Sequence, residues 1–170
     1  MNIRDLIRDV PDFPKPGILF KDITPVLSQP DAMDEVVDAL ASLTRVVGAT
    51  KVIGIESRGF IFGTPVSYAL DLPFVPVRKP GKLPYTCRRV EYALEYGTDT
   101  LEMHTDAITE GERVVIVDDL LATGGTAEAA CQLVEEAGGV VAAILVVIEL
   151  VGLDGRQRLS PRQVHSLIQY

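Results

Sequence analysis

The chain has 170 residues, of which 47% are hydrophobic and 24% charged, and its formal net charge at pH 7 is −8. This length and composition predict one globular domain with a single core. The acidic balance argues against a general nucleic-acid binder, which needs a broad basic surface, but a local cluster of cations could still bind a small anion.

The cysteines and the apolar segments indicate the expected compartment. Cys87 and Cys131 lie far apart and lack metal-type spacing, so they predict reduced thiols in a cytoplasm. The first ten residues are too charged for a signal peptide. The most apolar run, 140–151, is about half the roughly 20 residues that a membrane helix needs, and it contains Glu149. We therefore expect a cytoplasmic protein with no membrane-spanning segment.

The first part of the chain predicts an extended segment followed by helices and a strand. Prolines within 11–16 favour extended backbone. Apolar residues recur at helical spacing over 33–47, and Asp31 is placed to cap that helix. Residues 51–55 predict a strand and residues 59–70 a second helix. Together these elements indicate the start of an alternating α/β pattern.

The alternation continues through the second half of the chain. A short strand is predicted at 72–77, and continuous branched apolar residues predict a buried strand at 114–117. A helix over 127–137 ends at the glycines 138–139, and 140–148 is the next strand. The predicted fold class is therefore α/β, a mainly parallel twisted sheet with helices on both faces. Ligands bind such sheets beyond the carboxyl ends of the strands.

One segment interrupts the alternation. Over 88–103, apolar and polar residues alternate on both sides of the turn at 96–99, which predicts an antiparallel hairpin inserted into the α/β core. A hairpin beside the ligand-binding end of a sheet is a candidate lid, here over about 83–104.

Basic residues cluster just before this hairpin. Five of the 16 lysines and arginines lie within twelve positions: Arg78, Lys79, Lys82, Arg88 and Arg89. A solvated loop would also account for this composition. A local cluster nevertheless focuses positive potential and attracts a polyanion despite the acidic net charge.

The stretch VVIVDDLLATGGT, residues 114–126, combines two carboxylates with a turn suited to phosphate. The turn presents backbone N–H groups with little side-chain bulk at the start of a helix, whose dipole favours an anion. Asp118 and Asp119 can accept hydrogen bonds from sugar hydroxyls next to that phosphate, or act through a divalent cation carried by the ligand. The predicted phosphate-binding residues are Ala122, Thr123, Gly124, Gly125 and Thr126.

Two other nucleotide-binding interpretations lack their motifs. A strand that ends in two aspartates also resembles the Walker B element of nucleotide triphosphatases, but no segment matches G-x-x-x-x-G-K-[ST]. A dinucleotide-binding fold would need G-x-G-x-x-G after a strand, which is also missing from the sequence. The predicted ligand is therefore a phosphorylated sugar.

The 114–126 stretch resembles the signature of the type I phosphoribosyltransferases. With FPKPGILFKDITP at 13–25, GIESRGFIFG at 54–63 and RKPGK at 78–82, the resemblance to the adenine-specific members covers nearly the whole chain. It implies one Rossmann-like domain over 1–170 that transfers the 5-phosphoribosyl group from 5-phosphoribosyl 1-pyrophosphate to adenine, giving AMP and pyrophosphate. It also implies Mg²⁺ carried by the donor, with Asp118 or Asp119 as its candidate contact, and a homodimer without nucleic acid or membrane partners.

The resemblance also assigns residues to the donor and the base. Departure of pyrophosphate develops positive charge on the ribose, which Asp118 and Asp119 would stabilise. The residues implied at the pyrophosphate are Glu56, Ser57, Arg58, Arg78, Lys79 and Lys82. In the base-binding segment, about 11–27, the residues implied at the purine are Phe20, which would stack, and Leu19 and Lys21, which would bind through their backbone, with Leu120 on the other purine face.

The hairpin supplies the remaining candidates. Glu95 matches the proposed catalytic glutamate of the family and would accept a proton from adenine when the lid closes, with Tyr96 supporting closure. The implied catalytic set is Glu95, Asp118, Asp119 and Arg58. Two alternatives remain: a phosphoribosyltransferase for guanine, hypoxanthine or xanthine, and a nucleotide-sensing regulator on the same fold, for which no helix-turn-helix segment is visible.

Overall fold

The computed structural model describes residues 2–94 and 96–170, so that Glu95 lies outside the described residues. The strands are β1 (Arg8–Pro11), β2 (Leu19–Asp22), β3 (Lys51–Ile55), β4 (Phe74–Val77), β5 (Cys87–Ala93), β6 (Thr98–His104), β7 (Arg113–Leu121), β8 (Val140–Glu149) and β9 (Val164–Gln169). The α-helices are α1 (Thr24–Leu27), α2 (Pro30–Val46), α3 (Arg58–Leu70), α4 (Gly125–Glu136) and α5 (Gly155–Leu159).

Five strands form a parallel sheet in the order β4-β3-β7-β8-β9, which confirms the predicted fold class. From β3 the chain passes through α3 to β4 on one side, whereas from β7 it passes through α4 to β8 on the other. Adjacent strands whose connections leave in opposite directions open a crevice at their carboxyl ends. The fold therefore places a ligand crevice where β3 and β7 end.

Both faces of the sheet are covered, which explains why β7 is a continuous apolar run in the sequence. Val115 and Val117 of β7 belong to the core that α1, α2 and α3 cover. Val114 and Ile116 belong to the opposite core, which α4 and the β5-β6 hairpin cover. The helices and the hairpin thereby hold the ligand-binding edge of the sheet in place.

The predicted hairpin is confirmed, because β5 and β6 pair antiparallel along their whole length. Its stem is part of the core, with Val90, Leu101 and Met103 buried. At its tip, Leu94 and Tyr96 are exposed. The lid function therefore stays a prediction, and the packing of the stem restricts it to the tip.

Several element boundaries differ from prediction, and two of the differences have a clear physical reason. The prediction that Asp31 caps α2 was wrong: the helix begins at Pro30 after Gln29, and Asp31 lies in its first turn. Proline suits this first position because its missing N–H has no partner in the helix, and an acidic residue in the first turn still interacts favourably with the dipole. Strand β7 continues to Leu121 rather than ending at Val117, because Asp118 and Leu121 remain paired with β8.

The buried Glu149 ties the end of β8 to β9 and α5. Its carboxylate accepts hydrogen bonds from Arg156 Nε at 3.0 Å, Arg156 Nη2 at 2.5 Å and Ser166 Oγ at 2.6 Å. The hydrogen bonds from Arg156 are the main reason that the pKa of Glu149 is lowered from 4.5 to about 2. This Glu149 network anchors α5 to the sheet.

We expect Glu149→Gln to lower the free energy of unfolding by about 2–3 kcal/mol at pH 7. A carboxyl group with a lowered pKa in the folded state stabilises the protein above its unfolded pKa, and that contribution is lost as the pH falls towards the folded value. The difference in the free energy of unfolding between wild type and variant should therefore narrow by about 2 kcal/mol between pH 7 and pH 3. Urea unfolding at both pH values measures it, with the exposed Glu136→Gln as the control. If the difference in the free energy of unfolding were the same at both pH values, the prediction would be contradicted.

The apolar run at 140–151 forms mainly β8, as predicted from its branched residues. No helix in the described part of the chain is long and apolar enough to cross a bilayer. Cys131 is buried in α4, Cys87 is partly exposed in β5, and both are free thiols.

Candidate active site

A cavity of about 500 Å³ opens at the carboxyl ends of β3 and β7. Its wall combines the segment after β3, the loop after β4, the end of β7 and the 122–126 turn. The sequence-predicted residues that line it are Glu56, Ser57, Arg58, Lys79, Lys82, Asp118, Asp119, Leu120, Ala122, Thr123, Gly124, Gly125 and Thr126. Segments far apart in the chain therefore meet in the crevice that the strand order creates.

The two aspartates occupy different surroundings although they are adjacent in β7. Asp119 is 5% exposed, and its Oδ2 accepts a hydrogen bond from Arg58 Nε at 2.5 Å. Desolvation by burial raises the pKa of Asp118 well above its ordinary value, and the negative charge of Asp119 adds to this effect. Asp119 is thus the ion-paired carboxylate, and Asp118 is the neighbour that more readily holds a proton.

The 122–126 turn brings backbone rather than side chains to the cavity. Gly124 has a φ of 88°, a left-handed conformation that glycine adopts without steric cost, and it precedes the first residue of α4. Within the described residues, no side chain caps this helix. The first N–H groups of α4 therefore remain available as donors, and together with the helix dipole they favour an anion.

The cations around the cavity are held by carboxylates. Glu56 accepts hydrogen bonds from Arg78 at 2.7 Å and from Lys82 at 2.5 Å, and Lys79 pairs with Asp99 of the hairpin. Burial acts to raise the pKa of Glu56, but Lys82 and Arg78 outweigh it and keep that pKa below the ordinary value. The positive charges are therefore in position, and an incoming polyanion would compete with these carboxylates for them.

The two later members of the basic cluster lie elsewhere. Arg88 and Arg89 belong to β5, and neither lines the cavity. Arg89 instead pairs with the buried Glu102 at 2.6 Å. The cluster predicted from the sequence is therefore split: Lys79 and Lys82 line the cavity, whereas Arg88 and Arg89 do not.

Of the predicted base-binding residues, Leu120 lines the cavity, and Leu19, Phe20 and Lys21 lie beside its lining. The Phe20 ring centre is 5.8 Å from Arg58 Cζ, which places β2 next to the cavity. The Lys21 side chain turns away to Asp9, at 2.5 Å, and Leu19 is half-exposed. Neither residue's side chain reaches the cavity lining, and the prediction for both concerned only their backbone.

The hairpin tip approaches the same N-terminal segment. Tyr96 is 82% exposed, and its ring centre is 5.9 Å from Lys15 Nζ. Tyr96 does not line the cavity, and neither does Arg78, although Arg78 contacts the lining residue Glu56. The tip and the base-binding segment therefore form one rim, and Glu95, next to Tyr96, lies outside the described residues.

Several residues at the cavity were not predicted from the sequence. Leu121, Ala127 and Val146 line the cavity, and Tyr92 contacts both Lys79 and Thr126 from the hairpin. The alternation in 88–103 indicated that Tyr92 lies on one face of its strand, but not what that face would meet. Val146 reaches the site because it pairs with Asp118, and this register is absent from any local pattern.

The chain is similar to a well-defined set of proteins. The family model of the phosphoribosyl transferase domain matches residues 25–166. The adenine phosphoribosyltransferase of Solibacter usitatus is 59% identical over 169 residues, covering 99% of this chain and 98% of that protein. The one from Kosmotoga olearia is 52% identical, with 100% of both chains covered.

Solved structures agree with these relatives. The adenine phosphoribosyltransferase of Thermoanaerobacter pseudethanolicus superposes with a TM-score of 0.96 at 52% identity and covers 99% of this chain and 98% of its own. The Giardia lamblia enzyme, complexed with 9-deazaadenine, gives a TM-score of 0.92 at 39% identity, covering 100% of this chain and 98% of its own. The similarity therefore extends over both the sheet and the cavity.

Proposed function

The chain belongs to the adenine phosphoribosyltransferase family, and on that premise we propose which of its residues carry the reaction. The reaction transfers the 5-phosphoribosyl group from 5-phosphoribosyl 1-pyrophosphate to adenine and yields AMP and pyrophosphate. One observation supports the assignment most strongly: a single cavity joins an anion-binding turn, an acidic pair and a set of cations.

The donor is bound along this cavity from one phosphate end to the other. The 122–126 turn takes the 5′-phosphate through its backbone N–H groups. Asp118 and Asp119 accept hydrogen bonds from the ribose hydroxyls, and Ser57, Arg58, Lys79 and Lys82 take the pyrophosphate. The fact that all these groups line one cavity supports this division.

The acidic pair also stabilises the developing charge. As the bond from the anomeric carbon to pyrophosphate breaks, the ribose gains oxocarbenium character. The Asp119 carboxylate, held by Arg58, is fixed next to that positive charge, and Arg58 faces the leaving group. Fixed charges of this kind stabilise the transition state because they need little reorganisation during the reaction.

The structure also supports an exchange of ion pairs on donor binding. Glu56 pairs with Lys82 and Arg78, and Asp99 pairs with Lys79. These carboxylates neutralise the cations that an anionic ligand would otherwise neutralise. Pyrophosphate displaces these carboxylates from the lysines and takes over their charge-assisted hydrogen bonds. The cations are thereby kept in place without an uncompensated positive charge in the cavity.

The side chains at this position are suitable ligands for magnesium. Adjacent carboxylates are ligands that Mg²⁺ uses, and it commonly binds through one or two of them together with substrate phosphates and waters. Bound with the donor, it would supply Lewis-acid stabilisation of the leaving pyrophosphate. Asp118 and Asp119 are the residues that would hold it, directly or through water.

Adenine is bound between Phe20 and Leu120, with the backbone of Leu19 and Lys21 at its edge. The proximity of Phe20 to Arg58 supports this position, because the base must lie next to the anomeric carbon. A backbone carbonyl accepts from the exocyclic amine, and an N–H donates to the neighbouring ring nitrogen. A 6-oxopurine reverses both polarities and leaves buried groups unpaired. Glu95 accepts the adenine proton in this proposal, with Tyr96 supporting closure of the tip.

The base preference is tested by incubating the protein with the donor, Mg²⁺ and each of adenine, guanine, hypoxanthine and xanthine. We expect AMP formation to exceed every 6-oxopurine product by roughly 10⁴-fold in kcat/KM, the discrimination typical of mismatched buried hydrogen bonds. EDTA should abolish the activity, and added Mg²⁺ should restore it. Turnover of guanine without turnover of adenine would contradict the proposal, and full activity in EDTA would contradict the role of magnesium.

A homodimer in the cytoplasm completes the proposal. Ile61 and Tyr68 are exposed seven residues apart on α3, the helix that begins with Arg58, and they provide an apolar strip for a second copy. Sedimentation equilibrium tests this, and the mass of a single chain at micromolar concentration would contradict it.

The two free thiols fit a reducing compartment, which cell fractionation would check.

A further inference from the structure

Helix α5 packs directly against the back of the 122–126 turn through two glycines. A Cβ atom at Gly155 would overlap the carbonyl oxygen of Ala122 and lie 3.0 Å from the Leu121 side chain. From the other side, a Cβ atom at Gly124 would lie 2.9 Å from the carbonyl oxygen of Gly155. The two backbones therefore touch with no room for a methyl group.

The Glu149 network holds α5 in this position. Arg156 follows Gly155 directly and connects it to Glu149 and to the carbonyl oxygen of Val164. Leu159, the last residue of α5, is fully buried in the core. The helix is thus fixed to β8 and β9 at one end and to the core at the other.

Further contacts confine the same turn. Arg158 of α5 pairs with Glu128 of α4 at 2.6 Å, and its Nη1 lies 3.2 Å from the position of a Cβ at Gly125. Across the cavity, the Tyr92 hydroxyl lies 3.4 Å from Thr126 Oγ1. The turn is held between α5 and the hairpin, although none of the α5 residues lines the cavity.

We propose that Gly155 and Arg156 are positioning residues that set the backbone of the 122–126 turn for the 5′-phosphate of the donor and of AMP. They act through the turn and touch no substrate. The inference rests on the proposed function, in which this turn is the phosphate site. A displacement of the turn by a few tenths of an ångström misaligns several N–H donors at once, and hydrogen bonds weaken steeply with misalignment.

Gly155→Ala tests this proposal against Gly152→Ala as the matched control. Gly152 lies three residues earlier, and a Cβ atom there would meet nothing within 4 Å. We expect Gly155→Ala to raise the KM for the donor and the Kd for AMP about tenfold, while the Kd for adenosine and the KM for adenine change less than twofold. Gly152→Ala should match wild type in all four constants. Circular dichroism and Tm show whether each variant is folded.

The outcomes separate this inference from the proposed function. If Thr123→Asp, within the turn, abolishes donor binding while Gly155→Ala matches Gly152→Ala, the positioning role is overturned and the phosphate site stands. If neither Thr123→Asp nor Gly155→Ala affects donor binding, the phosphate assignment fails as well. If Gly155→Ala does not fold, the KM of the Arg156→Lys variant for the donor tests the positioning role instead. A selective rise of about threefold in the KM for the donor supports the positioning role, and an unchanged KM overturns it.

Discussion

Replacing Asp119 with asparagine is expected to lower kcat/KM for the transferase reaction by roughly 100- to 1,000-fold, the cost of losing one preorganised electrostatic group in a catalytic site. Asp119 is buried and hydrogen-bonded to Arg58, so that its charge is fixed where the ribose becomes positive. The amide keeps the size of the side chain but removes the charge. Steady-state kinetics with adenine and the magnesium-bound donor measure the effect.

The control for this variant is Glu112→Gln. Glu112 is also a partly buried carboxylate in an ion pair, with Lys51 at 2.7 Å, but it lies at the amino ends of the strands. The Glu112→Gln variant should be somewhat less stable than wild type, but its kcat and KM values should be unchanged. The double variant Asp118→Asn, Asp119→Asn should be at least as impaired as Asp119→Asn. Full activity of the double variant would show that the proposed ribose contacts are wrong.

The second large effect is expected from Thr123→Asp, which should weaken binding of the donor and of AMP by about 100-fold or more. Thr123 is an exposed residue within the turn that presents the N–H groups of α4. A carboxylate there repels the phosphate and competes for the same donors, and a charge-assisted hydrogen bond contributes about 1.5–3 kcal/mol. Isothermal titration with AMP measures the loss directly.

Thr123→Asn separates charge from size. Asparagine has nearly the volume of aspartate and no charge, so we expect it to change AMP affinity by less than about fivefold. Adenosine, which lacks the phosphate, should bind both variants equally. Equal losses for Asp and Asn, or an equal loss of adenosine affinity, would argue against a phosphate at this turn.

Much of the fold and part of the site follow from local patterns. The strands at 51–55 and 140–148 were predicted nearly to the residue, because strands buried on both faces are continuous apolar runs. The 114–126 stretch carries its chemistry in neighbouring residues, so both the acidic pair and the turn were visible. What the pattern could not show was where β7 ends, since that depends on pairing with β8.

The partners of the charged groups were not predictable. The basic segment suggested a single cation cluster, yet Lys79 pairs with Asp99 whereas Arg89 pairs with Glu102. These partners are set by the register of the hairpin and by its packing on α4, and a shift of one residue would turn every side chain to the opposite face. The difference between Asp118 and Asp119 likewise arises from tertiary structure, because Asp119 is paired with Arg58 whereas desolvation and the charge of Asp119 raise the pKa of Asp118.

Local residue order was sufficient to establish the α/β class, the donor-binding motif and the chemistry of its ligand, because each depends on residues close together in the chain. The contact of Gly155 with the back of the turn and the Glu149 network behind it join segments separated by several elements. Such contacts exist only when the strands are ordered and the helices packed, because steric fit and burial are properties of the folded chain. The motif therefore identifies the phosphate site, and the folded chain sets the position of its backbone.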